Sequence, residues 1–452
     1  MTTPRRTGAF RGGIDSVLLV AVLLVAVNLR APLTALPPVV SDVAAELHLT
    51  AAAAGLLTGI PVLCFALATP AVAGILGRSS LRTAIAVALV LILAGTLLRS
   101  ADLSGVASLA TAGTFAGTVL IGLGITTANL AVPMIAQRDF PGHVGTVTGL
   151  YTAAINVGTV ATTALTAPLA DAVGWRWALA SWGLLAVVAL VWWWRTVPVE
   201  PARRDARPTG EHARPTGEHG RPAGEDDRPS ARDDLAEGMA EGVTGTEPAG
   251  AAPRERHVLA TRFTWALCAM FALQSSSFYA LTAWLPLILE DLAGIPRSAA
   301  GGAASLFQGF AILGGLAVPL ATRRLSMRTT FAVIAVLWLT LPVGLLVAPT
   351  AWAVWASAAG IAQAANFVVI FTLVAQRFPT VRRGRQASAT VQSVGYCFAA
   401  VAPTAAGALQ SATGTWTAPV AVVLGALVAL TAIGAVLTGP ARPRSGETAG
   451  TR

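Results

Sequence analysis

The sequence predicts an all-α integral membrane protein, with twelve transmembrane helices in two pseudo-symmetric six-helix bundles. Three observations carry this. Only 12% of the 452 residues are charged and 54% are hydrophobic, with a mean hydropathy of +0.66; a soluble domain carries about 25% charged residues. Twelve apolar stretches of spanning length follow one another. Features of the first six recur in the second six.

The first span is expected over 16–38. Arg5, Arg6 and Arg11 precede it, as in a signal peptide, but the apolar run is too long for one and lacks a small-residue cleavage site. The first half continues with spans at 51–76, 83–98, 107–136, 145–170 and 177–197. The third is short, and Arg99 is expected to snorkel from its end to the interface. The second half reads as 261–289, 298–321, 329–347, 351–376, 386–409 and 418–438.

Arginine placement supports the count. All 31 basic residues are arginine. Sixteen lie in the N-terminal stretch, the even-numbered short connections and the C-terminal stretch, against three (Arg99, Arg176, Arg297) on the other side. By the positive-inside rule both termini are expected in the cytoplasm. The net charge of +9 follows this topology and gives no reason to expect nucleic acid. Residues 198–260 differ in kind. They repeat Ala206-Arg-Pro-Thr-Gly-Glu-His212 imperfectly and are charged and proline-rich, which predicts a disordered cytoplasmic linker. The domains are therefore 1–197, 198–260 and 261–452, the last with a short cytoplasmic tail.

The halves read as copies. Leu33-Thr34-Ala35 and Pro38 return as Leu281-Thr282-Ala283 and Pro286, offset by 248; Ala136-Gln137-Arg138 returns as Ala375-Gln376-Arg377. Six-plus-six repeats imply alternating access, with the site between the bundles near mid-membrane.

The polar residues narrow the chemistry. The acids and the histidines of the two halves all fall in connections or at helix ends, so no catalytic cluster, metal site or cofactor is expected, and no enzyme. Cys64, Cys268 and Cys397 lie far apart in apolar stretches and read as small core residues. Arg30 stands out. In a helix entered at Ser16 it lies about 21 Å along, past the middle of a hydrocarbon core roughly 30 Å thick. An arginine there costs about 2.5–3.5 kcal/mol or more. Either backbone groups of neighbouring helices satisfy it, or it faces a cavity whose missing counter-ion is a substrate anion. The lack of an interior acid favours the second.

Thr34 is one helical turn beyond Arg30. The 248 offset maps Arg30 onto Phe278, beside Tyr279, so an aromatic surface is expected opposite the cation. Trp284 is expected to pack rather than bind. Asn28 is as readily structural as functional. Among the buried amides, Asn129 and Asn366 lie on equivalent helices, and Gln308 is a further candidate; others are Asn156, Gln274, Gln363, Gln392 and, as a phenol, Tyr396. The candidate substrate-binding set is Arg30, Thr34, Asn129, Tyr279, Gln308 and Asn366.

Several motifs carry a family resemblance. Asn28-Leu29-Arg30, Ala128-Asn129, Arg138-Asp139-Phe140-Pro141 with Gly149-Leu150-Tyr151, Tyr279 with Trp284-Leu285-Pro286, and Gly395-Tyr396 resemble the cyanate and 2-nitroimidazole transporter family of the major facilitator superfamily. The resemblance spans both halves. It implies an inner-membrane secondary carrier of a small organic or inorganic anion or a small heteroaromatic compound, with the bilayer and a small-molecule substrate as its partners, acting as a monomer. The loop after the second span reads Gly77-Arg78-Ser79-Ser80-Leu81-Arg82 and lacks the Asp usual in the superfamily. The fifth span lacks the Gly-Pro motif of proton-coupled drug antiporters. The competing reading, a proton-coupled multidrug exporter, commonly presents an interior carboxylate that this sequence does not.

Overall fold

The computed structural model describes residues 15–76, 79–102, 107–197, 261–378 and 381–439. The expected linker over 198–260, the arginines of both terminal stretches and Gly77-Arg78 lie outside them. Every regular element among the described residues is helical.

The first span, α1, is longer than expected and is not one helix. It runs from Ser16 to Glu46 in four pieces: Ser16–Asn28, Ala31–Thr34, a 3-10 turn at Pro37–Val39, and Val40–Glu46. Asp15 caps its start, accepting from the amides of Val17 and Leu18 at 3.0 and 3.2 Å. The first break follows from Pro32, which has no N–H to give the Asn28 carbonyl. The ladder stops, and Arg30 takes a non-helical backbone (φ −126°, ψ −25°). Pro37 and Pro38 interrupt the chain again.

The other spans are α2 (Ala51–Leu76), α3 (Leu81–Ser100), α4 (Ala107–Asp139), α5 (Val144–Val173) and α6 (Trp175–Ser181 continued by Gly183–Thr196), then α7 (Arg262–Ala293), α8 (Arg297–Gly309 continued by Ala311–Ala321), α9 (Met327–Val347), α10 (Trp352–Arg377), α11 (Val381–Thr413) and α12 (Thr417–Leu437). Eleven are long and apolar enough to cross a membrane by composition alone. The exception is α11. It has the length, at 33 residues, but Arg383, Gln386, Ser388 and Gln392 dilute its apolar content, and it packs between α2 and α7.

The spans alternate in direction, so Ser16 and Leu437 share one face, here the terminal face. The bundles meet towards the opposite, far face. There Gly55 of α2 packs directly under the Pro403 carbonyl of α11, and Gly407 of α11 packs against the backbone of Ala51; a Cβ at either glycine would collide with main chain. Gly301 of α8 sits against Pro38 and the Thr163 carbonyl in the same way. Asp42 of α1 and Arg297 of α8 form an ion pair that joins the two halves.

Two expectations are corrected. Arg99 does not snorkel. It is 1% exposed and its Nη1 donates to the Pro32 carbonyl at 2.9 Å. The break in α1 leaves carbonyls without helical donors, and Arg99 supplies one. The cysteines are not all core residues: Cys268 is buried, Cys64 half-buried and Cys397 exposed.

Candidate functional site

The break in α1 aims Arg30 out of the first bundle. Its guanidinium carbon lies 5.4 Å from the centre of the Phe278 ring on α7, in the other bundle. The residue is half-buried, and among the described residues its guanidinium makes no hydrogen bond or ion pair. A cation–π contact contributes about 0.5–2 kcal/mol. That falls short of the roughly 2.5–3.5 kcal/mol or more that a charge costs at this depth, so the ring alone does not satisfy Arg30.

Aromatic side chains from both halves surround it. The chain has three tyrosines, and Arg30 couples electrostatically to all of them: Tyr151 on α5, Tyr279 on α7 and Tyr396 on α11. Tyr279 packs edge-on against Phe278 at 5.0 Å and Tyr396 at 6.5 Å, centre to centre. Tyr396 also meets Phe65 of α2 at 6.1 Å and Phe271 at 5.4 Å. The Tyr151 hydroxyl donates to Asn129 Oδ1 on α4 at 3.3 Å. The hydroxyls of Tyr279 and Tyr396 make no hydrogen bond among the described residues. One fixed positive charge, two phenol donors without partners and a third on an amide thus share a lining of aromatic rings.

Of the expected residues, Arg30, Tyr279 and Asn129 belong to this cluster, Asn129 through Tyr151. The other three engage elsewhere. The Thr34 hydroxyl bonds the Arg30 carbonyl at 3.0 Å and Thr162 Oγ1 of α5 at 2.8 Å. Gln308 donates to Thr282 at 3.0 Å, tying α8 to α7. Asn366 is fully buried and donates to Gln274 Oε1 at 2.7 Å. Trp338 donates to the same oxygen at 2.7 Å, and Gln274 donates to the Gln363 carbonyl at 2.9 Å. This amide network pins α7, α9 and α10 inside the second bundle. Asn28 similarly ties α1 to α6, donating to the Leu24 and Leu185 carbonyls at 2.9 and 3.1 Å. Trp284 packs on Trp416 at 4.9 Å and donates to the Pro403 carbonyl at 2.8 Å.

The candidate set omitted Phe278, Tyr151, Tyr396 and Phe65. The internal repeat pointed to Phe278. Tyr151 and Tyr396 stood in motifs, but neither helix pattern nor spacing showed that they converge on Arg30. Phe65 carries no sequence signal at all. Among the described residues no group of His, Cys, Asp or Glu is placed to hold a metal.

Comparison with known proteins agrees with this architecture. The chain is 29% identical over 422 residues to an uncharacterised transporter, YycB, of Bacillus subtilis, covering 92% of each chain. It is 26% identical over 405 residues to the 2-nitroimidazole transporter of Escherichia coli, covering 89% of this chain and 90% of that one. It is 25% identical over 401 residues to the Escherichia coli cyanate transport protein CynX, covering 88% and 91%. Among solved structures, the nucleoside transporter NupG superposes with a TM-score of 0.68 at 12% identity over 94% of this chain and 99% of that one. A bacterial homologue of the human lysosomal transporter Spinster gives 0.67 at 16% over 94% and 98%. Residues 18–385 match the family directly: the chain belongs to the Major Facilitator Superfamily and is a transporter, not an enzyme.

Proposed function

We propose that the protein is a secondary-active, alternating-access carrier of a small organic or inorganic anion or a small heteroaromatic compound, and that Arg30 binds the substrate's negative charge. The observation that carries this is a guanidinium between the two bundles with no anionic partner among the described residues, facing phenols with free hydroxyls. Arg offers a planar fork of donors that matches a planar anion, and the surrounding rings suit a flat ligand. Tyr279, Tyr396 and the Tyr151–Asn129 pair would complete the contacts. Thr34, Gln308 and Asn366 shape the site by holding α1, α7 and α8 in place. The similarity to cyanate and 2-nitroimidazole transporters supports the same substrate range. The arginine distribution supports both termini in the cytoplasm, and the similarity to bacterial transporters supports a bacterial inner membrane.

The test is binding by purified wild type and Arg30→Gln in detergent, across a series of small anions and matched neutral analogues. We expect the variant to reach the membrane, since it is easier to insert, and to lose anion binding. Equal anion affinity in the two proteins would make Arg30 structural and end this reading.

A further inference from the structure

A groove that the transport reading does not use lies on the outer surface of the first bundle. Between α3 and α6, opening at the terminal face, runs a groove of about 380 Å³ lined by Ala86, Val90, Leu190, Val191, Trp194 and Arg195. That is within the roughly 300–1,000 Å³ of small-molecule sites. Its length is apolar and its charge is all at one end. Arg195 is exposed there. Arg82 lies one turn before Ala86 on α3, with its guanidinium 5.1 Å from the Trp194 ring and Nη2 donating to the Trp194 carbonyl at 3.0 Å. The Nε of Arg82 is buried and has no hydrogen-bond partner among the described residues. Neither α3 nor α6 carries an acidic residue.

We infer that this groove binds an anionic phospholipid, its phosphate between Arg82 and Arg195 and one acyl chain along Ala86, Val90, Leu190 and Val191. From Arg82 to Val90 the helix advances about 12 Å, so charge lies at the interface and the apolar floor runs into the hydrocarbon, in the order a lipid presents them. A phosphate oxygen supplies the acceptor that Arg82 Nε lacks among the described residues, and two arginines on helices without an acid disfavour a headgroup that carries its own amine. Trp192 and Trp194 are exposed at this end of α6, where interfacial tryptophans gather. Trp193 donates to the Arg82 carbonyl at 3.0 Å, which fixes α6 to the start of α3. Basic pockets between helices at the cytoplasmic face are a known physical basis of lipid selectivity.

The test needs no transport substrate. The purified full chain is incubated with phosphatidylglycerol or phosphatidylcholine in mixed micelles, and bound lipid is counted by native mass spectrometry. Wild type should retain phosphatidylglycerol in preference to phosphatidylcholine. Arg82→Gln/Arg195→Gln should lose that preference, by roughly thirty-fold for two interfacial charges. Val90→Trp keeps both arginines but fills the groove, and should lose it too. The site is overturned if either variant keeps the wild-type preference, if wild type shows none, or if glycerol phosphate displaces the lipid as well as phosphatidylglycerol does.

Discussion

Arg30 and Phe278 are counterparts in the internal repeat, 248 positions apart, and they face one another at 5.4 Å across the bundle interface. Repeats related by an axis along the membrane normal bring equivalent positions together only near that axis. The contact therefore puts Arg30 close to that axis, and the repeat makes its partner an aromatic ring rather than a second charge. The ring lies against the guanidinium, whose donors stay without a hydrogen-bond partner among the described residues.

Phe278→Leu should then loosen Arg30 while keeping the apolar bulk. Anion affinity should fall by about 2–30-fold, the cation–π range of 0.5–2 kcal/mol, and Phe278→Tyr should restore most of it. Binding of neutral analogues should hardly change. A drop of equal size for neutral and anionic ligands would show that Phe278 acts through pocket shape and not through Arg30.

The twelve spans, the two halves and the singular position of Arg30 were legible in the sequence because each depends on local composition or on a repeat of short motifs. The break at Leu29-Arg30 was legible in principle from Pro32, yet an apolar run long enough to span reads most simply as a single helix. Burial of Arg99 was not legible, because its partner is a main-chain carbonyl on another helix, freed where the short Ala31–Thr34 helix ends ahead of Pro37. The amides misled in another way. Asn366 has the same sequence signature as Asn129, but Gln274 and Trp338 draw it into a core network, and no helix period reports which neighbour an amide will meet.

The Asp42–Arg297 ion pair spans the halves at the far face. Both groups are partly exposed, so the pair is worth about 0.2–1 kcal/mol and is weakened by salt. Asp42→Asn should shift the resting carrier away from the far-closed state. In a background without native cysteines, a cysteine at Thr404, where α11 meets Gly55, should react up to about 5-fold faster with an impermeant maleimide from the far side. The swap Asp42→Arg with Arg297→Asp should return the wild-type rate. A swap as reactive as the single variant would show that the pair does not latch the bundles.

Residues 198–260 read in the sequence as a charged, proline-rich connector, so replacing 203–252 with a short Gly/Ser linker should leave membrane insertion and transport nearly intact. Normal insertion with loss of transport would mean that the segment does more than connect the halves.

Arg99 sets the last expectation. The one hydrogen bond its guanidinium makes among the described residues, to the Pro32 carbonyl two residues from Arg30, braces the broken stretch of α1 from α3. Its Nε and Nη2 are buried without partners. Arg99→Leu removes this incompletely paired buried charge, which by itself favours folding, but leaves the Pro32 carbonyl without a donor, a cost of about 1–3 kcal/mol. The two effects oppose, so thermal stability should move little. The position of Arg30 has no such compensation, and anion affinity should fall about tenfold or more, the equivalent of roughly 1.4 kcal/mol. Arg99→Lys keeps a donor for one carbonyl and should recover most of the affinity. Melting temperature and anion affinity, measured together on the three proteins, separate the roles. If Arg99→Leu melts far below wild type yet binds anions as tightly, Arg99 is a strut of the first bundle and does not position Arg30.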